Sequence, residues 1–446
     1  MEISELYEIF LKCGKVSTDS RNLQGGELFF ALKGENFDGN EYALKAIEAG
    51  AAYSVVDKGS RFDGASERII AVDNTLEALQ ALARHHRENT FVDGERIKVI
   101  GLTGTNGKTT TKELIRRVLS AKYNVTATEG NLNNDIGVPL SLLKIGPDTR
   151  LAVIEMGANH PDDILHLVNV AEPDYGLITN VGKAHLLGFG SFEGVKRAKG
   201  QLYDYIRDHG KAVFLNVDDP VLTEMAHLRQ GLSILPYGPS YWNALVIPPD
   251  EGHPFLRMAI PDDLSESENL LALETSLAGS YNAVNVLAAI AVGRFFGVEL
   301  DDCIRAIESY VPANSRSQMT KRGSLTLIMD AYNANPSSMG AALDNFSLTK
   351  AGRKVAMLGD MRELGEDSVA EHRAIVRRLK EMKLDKVFLV GEEFGKALEG
   401  SGLEAEWFPT SESLAGYLGE HPLADATVLV KGSRGIAMEK AASVLQ

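Results

Sequence analysis

The sequence predicts an α/β protein of three domains whose sheets are mainly parallel. Its 446 residues would supply these domains at roughly 150 residues each. Short apolar runs alternate with amphipathic helical stretches along the chain, which is the pattern of repeated strand and helix units. We expect the domains at residues 1–95, 96–312 and 313–446, with a linker near 94–96.

The first predicted domain is a small α/β unit. Strand-like runs at 28–32, 53–56 and 68–72 alternate with helical stretches at 42–49 and 76–86. Polar loops at 17–21 and 33–39 flank the first of these runs. Their hydroxyl, arginine and glycine residues would suit a diphosphate with its sugar or base, but they suit ordinary turns and helix caps equally well.

A glycine-rich turn between a strand and a helix organises the central domain. The apolar run 99–102 leads into it, and the helical pattern 112–119 follows. The turn contains Gly104, Thr105, Asn106, Gly107, Lys108, Thr109 and Thr110. Glycines let backbone N–H groups approach phosphate oxygens, a lysine adds positive charge, and a threonine hydroxyl can bind Mg²⁺. Because Gly101 lies one place too early for the strict Walker pattern, we predict a variant phosphate-binding loop.

Polar clusters follow the next strand-like runs of this domain, where ligands of parallel sheets bind. Glu155 directly follows the run 151–154, and a carboxylate beside a phosphate loop is a common Mg²⁺ partner, although a helix cap is the alternative. Taken alone, His185 would be an ordinary surface or core histidine. The asparagine-rich segment 131–139 would suit an ordinary turn and a functional site equally well, and the segment 196–200 would be a solvated helix face.

The third predicted domain repeats the alternation and has a Rossmann-like pattern. Strand-like runs lie at 326–329, 355–358, 387–390 and 427–430. They end in polar segments at Asp330, 359–365, Gly391 and 431–435, which would form one face that closes over the central domain. Simple turn chemistry accounts well for Gly391 and poorly for the segment 330–336.

Composition restricts the class of partner and compartment. The net charge of −15 argues against a nucleic acid or an anionic membrane as partner. Cys13 and Cys303 are far apart and show no metal-binding or redox spacing, which favours reduced thiols. With no signal-peptide pattern and no apolar run long enough for a membrane span, we expect a cytoplasmic protein, and a monomer.

Several of these segments occur in the same order in the Mur ligases, which the chain resembles across all three predicted domains. Mur ligases are ATP-dependent ligases that build the peptide of bacterial cell-wall precursors. The matching segments are 104–109, 155–157, 180–186, 198–200 and 279–285. The segment 330–338 is similar to that of members that attach D-alanyl-D-alanine to a UDP-N-acetylmuramoyl-tripeptide, whereas sister members tend to carry His at Asn333 or Asn335.

This resemblance implies a role for each matching residue. ATP would be bound by residues 104–110 together with Asn282, Asn285, Arg316 and Asp330. One Mg²⁺ would lie on Thr109 and Glu155, and a second on His185 and Lys199, of which Lys199 is carbamylated in relatives. The catalytic residues would be Lys108, Glu155, His185 and Lys199. The two substrates would contact Ser20, Arg21, Lys33, Asn133, Asn134, Tyr332, Asn333 and Asn335, with the loops at 17–21 and 33–39 in the UDP site.

The resemblance also implies the reaction and its partners. A carboxylate of UDP-N-acetylmuramoyl-tripeptide would attack ATP, and the amine of D-alanyl-D-alanine would then displace phosphate from the acyl phosphate. Tyr281, where many relatives have His, and Gln201, where Glu is frequent, depart from the family pattern. Two other functions remain open: a different ligase of the superfamily, of the UDP-muramyl-peptide or folylpolyglutamate type, or a nucleotide-binding protein without ligase activity.

Overall fold

Each third of the chain folds around a β-sheet with helices beside it, and the predicted α/β class is confirmed. The computed structural model describes residues 1–247, 250, 253–262, 269–312 and 318–445. Within these ranges no helix combines the length and apolar character needed to cross a membrane.

The N-terminal region combines a small sheet with three helices. Its strands are β1 (Val16–Ser17), β2 (Leu28–Phe30), β3 (Lys33–Gly34), β4 (Phe37–Asp38), β5 (Tyr53–Asp57), β6 (Ile69–Val72), β7 (Phe91–Val92) and β8 (Glu95–Arg96). Its helices are α1 (Ile3–Cys13), α2 (Ala43–Glu48) and α3 (Thr75–Asn89). The main sheet is parallel in the order β1-β2-β5-β6. The linker predicted near 94–96 lies in the hairpin of β7 and β8.

The central region contains a six-stranded parallel sheet. Its strands are β9 (Lys98–Thr103), β10 (Val125–Ala127), β11 (Leu151–Glu155), β12 (Tyr175–Ile178), β13 (Ala212–Asn216) and β14 (Ile234–Tyr237). Its helices are α4 (Lys108–Ser120), α5 (Gly137–Leu142), α6 (Asp163–Ala171), α7 (Leu186–Phe189), α8 (Phe192–His209), α9 (Pro220–His227), α10 (Ala283–Phe295) and α11 (Leu300–Glu308). In the order β10-β11-β9-β12-β13-β14, the chain leaves β9 toward β10 on one side and leaves β12 toward β13 on the other. The adjacent carboxyl ends of β9 and β12 are therefore the switch point where ligands bind.

A small antiparallel sheet in the central region has no counterpart in the sequence prediction. It consists of β15 (Leu245–Ile247), β16 (Arg257–Pro261) and β17 (Leu270–Glu274). Met258, Ile260 and Leu273 turn into the core shared with α4 and α10, whereas Leu245 and Leu270 are exposed. Residues 245–247 and 270–273 are apolar runs, but both contain exposed positions, unlike the fully buried strands of the main sheet.

The C-terminal region forms a second six-stranded sheet. Its strands are β18 (Gln318–Arg322), β19 (Leu325–Asp330), β20 (Lys354–Gly359), β21 (Lys386–Val390), β22 (Glu406–Phe408) and β23 (Thr427–Lys431). Its helices are α12 (Pro336–Leu348), α13 (Ser368–Glu381), α14 (Glu392–Leu398), α15 (Ser411–Glu420) and α16 (Glu439–Ser443). The order is β18-β19-β23-β20-β21-β22, and only the β18–β19 pair is antiparallel. The four predicted strands are thus present.

One hydrophobic core extends from the N-terminal region into the central region. It includes Phe10 of α1, Leu79 of α3, Leu142 of α5 and Ile164 of α6. The C-terminal sheet instead has a separate core on each face, because alternate residues of β19 belong to different clusters. The first two regions therefore pack as one body, to which the third is added.

A buried ion pair fastens α3 to the central sheet. The Arg87 guanidinium is fully buried and lies 2.8 Å from the Asp174 carboxylate, which also accepts a hydrogen bond from the backbone N–H of Val99 at 2.8 Å. Asp174→Ala is expected to lower the free energy of unfolding by about 3 kcal/mol, because it leaves a buried charge without its partner. Urea denaturation followed by circular dichroism measures the change.

The matched control for this prediction is Asp302→Ala, which breaks the exposed ion pair with Arg305. Exposed ion pairs contribute about 1 kcal/mol or less. If both variants unfolded at the same urea concentration, the Arg87–Asp174 pair would not be a stabilising contact between the two regions.

Candidate active site

A cavity of about 570 Å³ lies where the carboxyl ends of the central and C-terminal sheets face each other. Polar and glycine residues from both regions line most of it. From the central region they are Thr105, Asn106, Gly107, Lys108, Thr109, Thr110, Asn131, Asn133, Glu155, Gly157, Asn159, Asn180, Gly182, His185, Tyr281, Asn282 and Asn285. From the C-terminal region they are Asp330, Tyr332, Asn333, Asn335, Ser337, Ser338 and Lys431. Of the predicted polar strand ends, Glu155, Asp330 and Lys431 thus meet at one cavity, whereas the segment 359–365 and Gly391 are not among its lining residues.

The glycine-rich turn forms the floor of this cavity and leads directly into α4. Gly104 (φ +148°) and Gly107 (φ +77°) adopt backbone conformations that disfavour other residues. A Cβ on Gly104 would also overlap Thr179 Oγ1, and one on Gly107 would lie 2.9 Å from Asn285 Oδ1. Lys108 Nζ donates a hydrogen bond to the Gly104 carbonyl at 2.8 Å. The charged amine therefore lies over a loop whose N–H groups and helix N-terminus favour anions.

Gly101, the glycine that broke the Walker pattern, belongs to the strand and not to the loop. It lies within β9, where a Cβ would be 2.7 Å from Met156 Cε and 2.9 Å from Pro173 Cβ. Close packing of the buried sheet therefore explains this glycine. The loop itself starts at Gly104.

Glu155 is held at the end of β11 in a form suited to a hard cation. Its carboxylate accepts hydrogen bonds from Thr109 Oγ1 at 3.1 Å and from Asn133 Nδ2 at 2.8 Å. Its backbone N–H donates to Thr128 Oγ1 at 3.0 Å. The described residues contain no group of three or more His, Cys, Asp or Glu side chains that could by itself hold a metal ion. A carboxylate and a hydroxyl fit Mg²⁺, which completes its shell with water and phosphate oxygens.

Lys199 is only 2% exposed, so the interpretation of 196–200 as a solvated face is wrong at this residue. It lies on the buried side of α8, with Nζ 6.0 Å from the centre of the Phe189 ring. Burial and the nearby charge of Lys108 hold the pKa of Lys199 well below its usual range, opposed by Asp163. Its amine is therefore readily neutral, the form that reacts with CO₂.

His185 lines the cavity at the start of α7 and contacts the C-terminal region. Its Nδ1 makes an ion-pair contact with the carboxylate of Glu363. Burial lowers the pKa of His185, Glu363 opposes this effect, and the charge of Lys108 adds to it. His185 therefore lies between a carboxylate of the C-terminal region and the positive charge of the phosphate-binding loop.

The C-terminal wall is built from adjacent strand ends. Asp330 at the end of β19 pairs in register with Lys431 at the end of β23, and their side chains form an ion pair of 2.5 Å. Lys431 Nζ also donates to the Asn333 carbonyl at 3.3 Å. Asn335 caps α12 by accepting from the Ser338 N–H at 2.9 Å, and its Nδ2 donates to Asn106 Oδ1 at 2.8 Å. This wall therefore touches the phosphate-loop side directly.

Family models match most of the chain. They are described as the Mur ligase family catalytic domain over residues 13–87, the Mur ligase middle domain over 102–293, and the Mur ligase glutamate ligase domain over 315–434. A UDP-N-acetylmuramoyl-tripeptide--D-alanyl-D-alanine ligase of Bacillus subtilis is 35% identical, with 95% of this chain and 91% of that protein covered. The chain belongs to the Mur ligase family.

Other relatives of this Mur ligase are similar to it over nearly its whole length, in sequence and in structure. A UDP-N-acetylmuramoyl-tripeptide--D-alanyl-D-alanine ligase of Escherichia coli is 33% identical, covering 97% of this chain and 93% of that protein. A crystal structure of MurF from Acinetobacter baumannii superposes with a TM-score of 0.84 at 30% identity, covering 97% and 93% of the two chains. MurF ligase from Thermotoga maritima in complex with ADP gives 0.82 at 27% identity, covering 96% of each.

Several predicted site residues of this Mur ligase do not line the cavity. Arg21 pairs with Asp19 in its own loop, and Lys33 lies 3.2 Å from Asp57. Asn134 accepts a hydrogen bond from the Gly137 N–H at 2.9 Å, which supports the start of α5. Ser20, Gly104 and Lys199 are also absent from the lining. Arg316 lies outside the described residues.

Sequence reasoning gave no role to three residues that the fold brings to this site. Asn180 accepts from the Asn106 N–H and donates to the Asn106 carbonyl, both at 3.0 Å, and so orders the turn. Lys431 fixes Asp330, and Glu363 contacts His185. All three lie in polar segments that follow predicted strands, which was the available signal. Their partners are set by the tertiary fold.

Proposed function

We propose that this Mur ligase joins D-alanyl-D-alanine to a UDP-N-acetylmuramoyl-tripeptide with ATP, in the synthesis of peptidoglycan precursors. The observation that carries the proposal is a single cavity with a phosphate-binding loop on one wall and the segment Asp330 to Asn335 on the other. The full-length similarity to ligases with this name supports the same substrates.

In this proposal the triphosphate of ATP lies on residues 104–110. The loop N–H groups and Lys108 bind its oxygens, while Asn282 and Asn285 adjoin the nucleoside. Asn285 is itself fixed by Thr111 Oγ1 at 3.1 Å and by Asn282 Oδ1 at 3.0 Å. Asp330 and Arg316 would contact the nucleotide from the C-terminal side.

Metal ions belong to the same proposal. Thr109 and Glu155 hold one Mg²⁺, and His185 and carbamylated Lys199 contribute to a second. When bound, the metals offset the negative charge of the triphosphate and the attacking carboxylate. Carbamylation joins the neutral Lys199 amine to CO₂ with release of a proton, and it turns a buried base into an oxygen ligand.

The substrates occupy the remaining surfaces. Residues 1–95 form the UDP-binding domain, with Ser20, Arg21 and Lys33 in its loops. Residues 96–312 form the ATP-binding domain, and residues 313–446 complete the ligase site. Asn133 and Asn134 adjoin the muramoyl substrate, whereas Tyr332, Asn333 and Asn335 bind D-alanyl-D-alanine.

The chemistry follows from the charges at the cavity. A tripeptide carboxylate oxygen attacks the γ-phosphorus, the bond from this phosphorus to the bridging oxygen breaks, and ADP leaves. The free amine of D-alanyl-D-alanine then attacks the acyl carbon. The tetrahedral intermediate expels phosphate and the ammonium proton is lost, so that one amide, ADP, phosphate and a proton are formed. The contact of Asn335 with Asn106 brings the two walls together, which limits hydrolysis of the acyl phosphate by water.

An acceptor and donor panel tests the proposal. The purified protein receives ATP, Mg²⁺ and UDP-N-acetylmuramoyl-tripeptide with either D-alanyl-D-alanine or single amino acids, and phosphate release and product mass are measured. We expect phosphate release with the dipeptide and a product heavier by its mass less one water. Turnover with only a single amino acid, or with glutamate and a folate, would assign another ligase activity, and no turnover would favour a nucleotide-binding protein without ligase chemistry.

A further inference from the structure

Two residues in left-handed backbone conformations meet across the interface of the central and C-terminal regions. They are His185, with φ +50°, and Glu363, with φ +64°. Such conformations are uncommon for residues other than glycine and collect at functional sites. Their meeting is unexpected from sequence, because the residues belong to separate sheets and separate hydrophobic cores.

Glu363 contacts the His185 segment through both its side chain and its backbone. Its carboxylate lies against Nδ1 of His185 as an ion-pair contact, and this buried nitrogen makes no hydrogen bond to any described residue, so Glu363 is the acceptor beside it. Its carbonyl oxygen accepts a hydrogen bond from the Leu187 N–H at 3.2 Å. The contact therefore fixes which side of the imidazole ring faces the C-terminal region.

The loop that carries Glu363 is held by its own region and not by His185. The Met361 N–H donates to His372 Nε2 at 3.0 Å, and the Arg362 N–H donates to Ser433 Oγ at 2.9 Å. Asp360 accepts two backbone hydrogen bonds, at 3.0 and 2.9 Å, from the start of α14. Because these partners all belong to the C-terminal region, the carboxylate moves with that region.

We propose that Glu363 is a positioning residue for His185. Only when the C-terminal region is docked does Glu363 hold the imidazole ring in the tautomer and orientation that can bind a metal ion. This inference rests on the proposed function of His185 as a metal-binding residue. A carboxylate on Nδ1 keeps the proton there, and the lone pair of Nε2 is then the one left for a cation in the cavity. When the C-terminal region moves away the carboxylate leaves with it, and the ring loses its fixed tautomer and orientation.

A neighbouring ion pair provides a matched control for the docking contribution. Lys183 Nζ lies 2.7 Å from the Glu371 carboxylate, so this pair joins the same two regions. Neither residue lines the cavity. Removing Glu371 takes away one exposed contact between the two regions, while the Asn335–Asn106 hydrogen bond and the Glu363–His185 contact remain and keep the C-terminal region docked.

The experiment measures metal binding directly. Mn²⁺ is titrated into the full-length protein with saturating ADP, and free Mn²⁺ is followed by electron paramagnetic resonance for wild type, Glu363→Ala, Glu363→Gln and Glu371→Ala. We expect the weaker Mn²⁺ site to lose about tenfold in affinity in Glu363→Ala. Glu363→Gln should recover most of it, because the amide oxygen still accepts from Nδ1–H, and Glu371→Ala should resemble wild type.

Three results would overturn the inference: unchanged Mn²⁺ affinity in Glu363→Ala, an equal loss in Glu371→Ala, or a wild type with no second Mn²⁺ site. Circular dichroism and the melting temperature show whether each variant is folded. Because no muramoyl substrate or dipeptide is present, the measurement stays informative for a protein that fails to form the amide bond. Failure of the proposed function and failure of this inference are thus distinguished.

Discussion

Replacing Lys108 with methionine is expected to lower kcat/KM for ATP-dependent phosphate release by about a thousandfold, because charge stabilisation at the transferred phosphoryl group is lost. Lys108 is the cation at the start of α4, directly above the Gly104 carbonyl. Methionine keeps much of the length and apolar stem of lysine but removes the charge. Initial rates of phosphate release over a range of ATP concentrations measure the effect.

Lys122→Met serves as the control for this substitution. Lys122 lies just beyond the other end of α4, is exposed, and donates to the Gly297 carbonyl at 2.8 Å. The substitution Lys122→Met removes the same charge far from the phosphate-binding loop, so kcat/KM should remain close to the wild-type value. A loss of less than tenfold in Lys108→Met, with the control unaffected, would contradict the role of Lys108 in phosphoryl transfer.

Lys199→Ala is expected to lower kcat by about a hundredfold or more, because an oxygen ligand of the second metal would be lost. Acetate should partly restore activity, since a small carboxylate can enter the space left by the carbamylated side chain. Wild type should lose activity in buffer depleted of CO₂ and regain it when bicarbonate is added. Phosphate release with and without acetate or bicarbonate measures both effects.

Lys196→Ala is the matched variant for Lys199→Ala on the same helix. Lys196 pairs with Glu193 and Glu224 near the surface, so acetate should leave the activity of Lys196→Ala unchanged. Because Lys199 is intact in this variant, CO₂ depletion and bicarbonate should affect it as they affect wild type. Full activity of Lys199→Ala would contradict the carbamate, and so would wild-type phosphate release that does not change when CO₂ is removed. An equal response of Lys196→Ala to acetate would show that the rescue is not specific.

Strongly apolar strands and their polar ends were predictable from the sequence. Burial on both faces imposes continuous apolar runs on β9, β11 and β12, and the order of a parallel sheet then brings their ends together. Short edge elements such as β15 and β18 were not predicted, because β15 is only three residues long and partly buried, and β18 mixes polar with apolar residues. The local sequence pattern therefore predicted the central strands of the sheets but not the short strands at their edges.

The electrostatic character of site residues depends on contacts distant in sequence. Lys199 stands in a basic segment that is typical of a solvated helix, and only the packing of α8 on the sheet buries it. Glu363 and His185 meet because two separately formed sheets face each other. The family resemblance singled out Lys199 and His185, but neither the burial of Lys199 nor the contact of Glu363 with His185 could be inferred from spacing along the chain.

The hydrophobic core shared by the first two regions has a consequence for recombining members of this family. A chimaera that exchanges residues 1–95 alone would join two unrelated halves of one core, with Phe10 and Leu79 facing foreign partners in place of Leu142 and Ile164. The C-terminal region carries its own cores and meets its neighbour largely through polar contacts. Exchange at this second junction would leave these cores intact apart from the contact of Ala278 of the central region, so it is the natural crossover point for exchanging the segment proposed to bind D-alanyl-D-alanine.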